Sequence, residues 1–241
     1  MLAELRKVLR NNSNEEYSKA AQWFFKTGPG EYGEGDQFIG IKVPVLRKII
    51  KDYFLISFDH LKEMLASPVH EERLAAVLIL VMKYKKGIES EKEKIFKFYL
   101  KNRKGINNWD LIDLSAPNIV GEYLFSKEKD KEKEKEKDLL FEFAASKNIW
   151  ERRIAVLATY TFIRAKEFDL SFKIIEMLLE DKHDLIHKAA GWMLREIGKR
   201  DLKSEENFLK KHYKEMPRTM LRYAIEKFPE EKRQAYLKAK I

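Results

Sequence analysis

Within INNWDLIDLSAP, residues 106–117, Trp109 and Asp113 stand four positions apart, so a helix places both side chains on one face, one turn from each other. Asp is a poor residue for a helix interior and Trp is bulky, so the pair is not there for helix stability alone. A core Trp beside an exposed or capping Asp is the structural alternative. The chemistry that suits the pair is stabilisation of a cation. An aromatic face attracts positive charge, worth about 0.5 to 2 kcal/mol according to desolvation, and a carboxylate adds Coulombic attraction.

A second aromatic candidate is Trp192 in HKAAGWMLREIGKRD. Taken alone, a Trp in an apolar helix is more often core than site. The surrounding charge argues otherwise: from Lys182 to Arg233 there are fourteen Lys/Arg against nine Asp/Glu. Basic side chains around an aromatic are what contacts to a nucleic-acid backbone require, and they make binding salt dependent. Arg153, Arg195 and Arg47 are the expected individual contacts, together with Lys188 and His187.

The elements that must position these residues are helices. Apolar positions recur every three to four residues in VPVLRKIIKDYF, ERLAAVLILVMKYKK, RRIAVLATYTFI and KAAGWMLREIG, and no segment alternates convincingly as a strand. Pro44, Pro68, Pro217 and Pro229 fall where helices should begin or end. A basic residue, one residue and an alanine recur at Arg73 to Ala75, Arg153 to Ala155, Lys188 to Ala190 and Arg222 to Ala224, with steps of 80, 35 and 34. If the first step covers two units, the missing one falls near Leu114 to Ala116. That is the period of two-helix HEAT-like repeats. The expected fold is therefore an all-α solenoid of helix pairs, a single domain over residues 1–241, with a concave basic face that carries binding.

Two segments interrupt the pattern. Residues 127–138, KEKDKEKEKEKD, hold six Lys and six acidic residues and read as a charged linker or helix start, so the net charge of +9 lies on the remaining units. Residues 27–38, TGPGEYGEGDQF, form a Gly-rich loop with three acidic side chains. It lacks the Gly-Lys-Ser/Thr ending that cradles a nucleoside triphosphate, and flexibility is the expectation there.

Composition excludes further classes. With no cysteine there is neither a disulfide framework nor a thiolate metal site. His183 and His187 are four apart but have no third ligand at metal-site spacing, so no metal and no cofactor are expected. No Ser/His/Asp set or H-E-x-x-H motif occurs. No apolar run spans a membrane and MLAELRKVLR reads as an amphipathic helix, so the expectation is a soluble, cytoplasmic monomer that reaches the nucleoid by binding DNA.

An alkylated purine is a cation whose glycosidic bond breaks through a sugar of oxocarbenium character, the charge a nearby carboxylate stabilises. Because the departing base is already positive, no general acid is needed. The segments FFKTGPGEYGEGDQFIGIKVPVLR, NNWDLIDLSAP, NIWERRIAVL and KAAGWMLREIGKRD together resemble DNA alkylation repair enzymes of the AlkD type over almost the whole chain. The resemblance implies a HEAT-like array that grips double-stranded DNA and excises 3-alkyladenine and 7-alkylguanine without a deep base pocket. It implies that Asp113 is the catalytic carboxylate, that Trp109 and Trp192 flank the lesion, and that Arg153 contacts DNA. Where some relatives carry a Tyr near the lesion, the match falls on Phe24 or Trp23. The rival reading is a noncatalytic HEAT-like scaffold for nucleic acid or protein, in which Asp113 and the tryptophans only pack.

Overall fold

A computed structural model describes residues 1–127 and 138–241; the charged run expected as a linker lies, apart from its two end residues, outside the described residues. The chain divides into two compact units, Met1–Ser115 and Ala116–Ile241. Among the described residues every regular element is helical, and the only extended pairing is an isolated bridge between Gln37 and Val69. No described helix is long and apolar enough to cross a membrane.

The first unit holds α1 (Leu2–Asn11), α2 (Glu15–Phe24), α3 (Val43–Ile49), α4 (Phe58–Leu65), α5 (His70–Lys86), α6 (Glu89–Lys101) and α7 (Trp109–Ala116), the last ending at the boundary. Local sequence sets several starts. Asn14 accepts from the Tyr17 amide to begin α2, and Ser57 from the His60 amide to begin α4. On α1 the apolar face Leu2, Leu5 and Leu9 is buried, while Arg6 pairs with Glu63 of α4 at 2.6 Å and Glu72 of α5 at 3.0 Å. Helix α5 is buried on all sides from His70 to Val81 and forms the centre of the unit.

The Gly-rich loop is anchored, not loose as its composition suggested. Gln37 donates its amide to the Pro68 carbonyl, and the His70 amide donates back to Gln37. Just beyond, the buried Glu71 carboxylate accepts three backbone amides, from Ile39, Gly40 and Ile41 at 2.8–3.2 Å. Gly40 is needed at this close approach: its φ is +83°, and a Cβ would lie 2.0 Å from the Asn14 carbonyl oxygen.

The second unit begins with a π-helical turn, Pro117–Gly121, because Pro117 has no N–H to donate four residues back. It continues with α8 (Glu122–Ser126), α9 (Asp138–Ala144), α10 (Ile149–Ala158), α11 (Tyr160–Arg164), α12 (Asp169–Met177), α13 (Asp184–Gly198), α14 (Leu202–His212), α15 (Arg218–Ala224) and α16 (Glu230–Leu237). Helices pack α9 on α10, α10 on α13, and α13 on both α14 and α15. Gly191 permits the last contact, since a Cβ there would meet the Met220 carbonyl oxygen at 2.4 Å.

The small residues of the repeat explain themselves in this packing. Ala75, Ala116, Ala155, Ala190 and Ala224 lie on α5, α7, α10, α13 and α15, and each is wholly buried. Ala116 is the one expected from the missing unit. An alanine at the closest point lets neighbouring helix backbones approach without a void.

Candidate functional site

Helix α7 opens as Asn108 turns its side-chain oxygen onto the Trp109 amide at 2.8 Å. Trp109 and Asp113 then share a face one turn apart, and both are half-buried, open to solvent in part. The Trp109 indole is clamped by aromatics from the end of α2 and the loop after it. Phe25 stacks on it with ring centroids 5.1 Å apart and planes 9° from parallel, and Phe24 meets it edge-on at 6.0 Å. Phe25 stacks in turn on Phe38, and Phe38 on the His70 imidazole. Contacts of this kind contribute about 0.5–1.5 kcal/mol each beyond the area they bury. Of the two residues at the ambiguous position, Phe24 meets Trp109 and is 57% exposed, whereas Trp23 is 80% exposed. Phe24 offers no hydroxyl.

Beneath this platform lies a buried ionic network. The His70 ring bonds Asp36 through Nδ1 at 3.1 Å and Asp110 through Nε2 at 2.9 Å. Arg73 donates to Asp36 at 2.6 Å, and the Asn108 amide donates to the same carboxylate at 3.1 Å. Burial by itself would lower the His70 imidazole, but its hydrogen bonds to the Asp110 and Asp36 carboxylates overcome it and raise the group to about 8. Burial likewise pushes Asp36 up, yet His70, Arg73 and Asn108 together hold it below the usual carboxylate range. Asn108 and Asp110 flank Trp109 in sequence, so the network fixes the first turn of α7 and with it the direction of the Trp109–Asp113 face. On the inner side, Tyr99 bonds Ser115 at 2.9 Å; burial first, with the Asp113 charge adding, raises its phenol well above the ordinary value.

In the second unit, α13 carries His187, Lys188, Trp192 and Arg195. Trp192 is half-buried and donates Nε1–H to Glu196 at 3.3 Å. Glu196 is held low: burial opposes this, but Lys199, Arg200 and the Trp192 bond together prevail. The Tyr160 ring lies 6.3 Å from Trp192, with the guanidinium groups of Arg164 and Arg200 over it at 5.5 and 5.6 Å. Arg195 is ion-paired with Glu226, and Lys188 with Asp184 at 2.7 Å. His187 bonds the Asp181 carbonyl at 2.6 Å, and His183 caps α13 by accepting the Leu185 amide. Arg153 is 4% exposed and donates to the Leu185 carbonyl at 2.5 Å. Arg47, on α3 of the first unit, is exposed.

The structure therefore joins Phe24, Trp109 and Asp113 in one unit, and groups His187, Lys188, Trp192 and Arg195 on one helix of the other. Sequence reasoning missed Phe25, Asp36, His70, Asn108 and Asp110, and saw Arg73 only as a repeat marker. No local spacing links positions 36, 70 and 110. The available signal was weak: His70 follows Val69 and Asp110 stands between Trp109 and Leu111, but Asp36 lies between Gly35 and Gln37.

The sequence matches the family described as DNA alkylation repair enzyme over residues 5–228. The chain belongs to that family. Its fold is also that of a solved structure of a predicted DNA alkylation repair enzyme from Enterococcus faecalis. The two agree with a TM-score of 0.68 over 91% of this chain and 98% of the other, at 16% identity. No curated protein matches the chain. Membership makes this an all-α protein of DNA alkylation repair, with DNA as its substrate class.

Proposed function

We propose that the chain is a monofunctional DNA glycosylase that hydrolyses the N-glycosidic bond of cationic alkylated purines, 3-alkyladenine and 7-alkylguanine, in duplex DNA. The observation that carries this reading is a half-exposed carboxylate, Asp113, one helical turn from an indole that Phe25 stacks and Phe24 edges. In the proposed reaction the bond between C1′ of the sugar and the purine nitrogen breaks, and its electron pair neutralises the departing base. The Asp113 carboxylate stabilises the positive charge that moves onto the sugar. A water oxygen then bonds C1′ and gives up its proton to Asp113 or solvent. The aromatic faces hold the cationic nucleotide during this step. Neither a proton donor to the base nor a lysine nucleophile is required, so strand cleavage is not part of the reaction.

The test is release of 7-methylguanine from methylated duplex DNA by the wild-type chain and by Asp113→Asn. Losing one electrostatic stabiliser of this kind costs about 10²- to 10³-fold in rate. Equal release by the two proteins removes Asp113 from the chemistry. DNA binding with no release by either protein favours the scaffold reading.

A further inference from the structure

A pocket of about 550 Å³ opens on the first unit, lined by the Gly-rich loop, α4, α5 and the end of α6 with the turn that follows it. Three lysines line it from three segments: Lys62 on α4, Lys101 at the end of α6, and Lys104 in the short turn that follows. Among the described residues no ion pair engages any of them. Of the two carboxylates in the lining, Asp36 is already taken by His70, Arg73 and Asn108, and Glu34, which accepts the Gly30 amide at 3.0 Å, offsets one of the three lysines. Two buried polar atoms of the lining residues also lack partners, Nε of Arg73 and Oδ1 of Asn107. Arg73 is almost wholly buried, so an unpaired guanidinium N–H there costs stability unless something accepts from it. The Asn107 amide can turn its nitrogen the same way by rotating about its last bond.

Three ammonium groups on three elements, opposed by the single free carboxylate of Glu34, leave the lining net positive and match a compact group of negative charge with several strong acceptor oxygens. The volume is that of a small-molecule site and exceeds what a bare inorganic ion fills. We infer that this pocket binds a phosphoryl group borne on a nucleotide-sized molecule, either a free nucleotide or the terminal nucleotide of a DNA strand. No residue of the pocket belongs to the Trp109–Asp113 face; Asp36 and Arg73 also serve the network that orients that face, so the test varies only lysines outside the network.

The experiment is calorimetric titration of the full chain with adenosine monophosphate, paired with competition between short duplexes bearing a 5′-phosphate or a 5′-hydroxyl. The comparison protein is the double variant Lys101→Gln, Lys104→Gln, whose exposed positions leave the fold intact, as an unchanged melting temperature will show. The wild-type chain should bind at least one phosphorylated probe, and the double variant should lose about tenfold in affinity. Binding of the nucleotide assigns a free ligand, and preference for the phosphorylated duplex assigns a strand end. Asp113→Asn should bind either probe as wild type does, which keeps this result apart from the outcome of the excision assay. Absence of binding to both probes, or equal binding by the double variant, overturns the inference.

Discussion

Replacing His70 with Gln keeps a donor toward Asp110 and removes the positive charge that Asp36 and Asp110 share. Lifting an imidazole from 6.5 to about 8 is worth about 2 kcal/mol of folding free energy. The sign follows from which state holds the proton more tightly. The folded chain does, so the stabilisation is fully present below the unfolded value of 6.5 and is lost as pH rises through about 8. Wild type and His70→Gln should therefore differ most near about pH 6, with the gap narrowing by about 2 kcal/mol toward about pH 9. For a chain of this length that is a change of about 4–8 °C in the melting-temperature difference. Because the chain has two compact units, the measurement should follow the unit that holds His70, for instance by hydrogen exchange of α5 amides at several pH values. A gap that stays constant across that range refutes the assignment of a charged His70 to the network.

Trp109→Ala gives up the stack on Phe25 and the edge contact with Phe24; excision of an alkylated base should fall more than tenfold while thermal melting drops by only a few degrees. Gly191→Ala places a methyl group 2.4 Å from the Met220 carbonyl, so calorimetry should show the second unit destabilised by about 1–3 kcal/mol or more as α13 and α15 move apart. Glu205 loses stability with rising pH in the same direction as His70, but through a buried negative charge and not a lost positive one. Burial first, with Glu206 adding and Arg195 opposing, raises it to about 8, so the folded state is penalised progressively as pH rises from 4.5 through about 8. Glu205→Gln should then stabilise the chain by several kcal/mol (about 3 to 5) in urea unfolding above about pH 8 and have little effect near about pH 4.

The parts of the fold that the sequence makes legible are those that depend on periodicity. Apolar spacing identifies the helices, and the recurring alanines locate the contacts between them, including Ala116, which no basic residue precedes at the repeat spacing. Trp109 and Asp113 are legible because one helical turn joins them. The Phe24 contact is half legible: the sequence leaves Phe24 and Trp23 as alternatives, and the difference between them is a rotation of about 100° at the last turn of α2. What stays hidden is the network under the platform. His70, Asp36 and Asp110 come from a helix start, an anchored loop and another helix start, and only tertiary packing brings them within hydrogen-bond distance. The Gly-rich loop misleads for the same reason. Its glycines suggest freedom, while its C-terminal end is held by Asp36 and Phe38 against Arg73 and His70, more than thirty residues away.

Arg47 and Arg153 are equivalent as basic residues in a sequence and different in the fold, and the difference separates two kinds of contribution to DNA binding. Arg47 is exposed on α3, and among the described residues no carboxylate engages it. If it contacts a phosphate, Arg47→Ala should reduce the slope of log affinity against log salt by about 0.9, the counterion release of one phosphate, and leave melting unchanged. Arg153 is almost wholly buried and donates to the Leu185 carbonyl in the first turn of α13. Truncating it removes a charged donor from the interior, at about 1.5–3 kcal/mol, and loosens the start of the helix that carries Trp192. Its loss should lower the melting temperature first, with weaker DNA binding at every salt concentration and an unaltered slope. If Arg153→Ala instead lowers the slope by about one and leaves melting untouched, Arg153 reaches the phosphates directly and its bond to Leu185 is incidental.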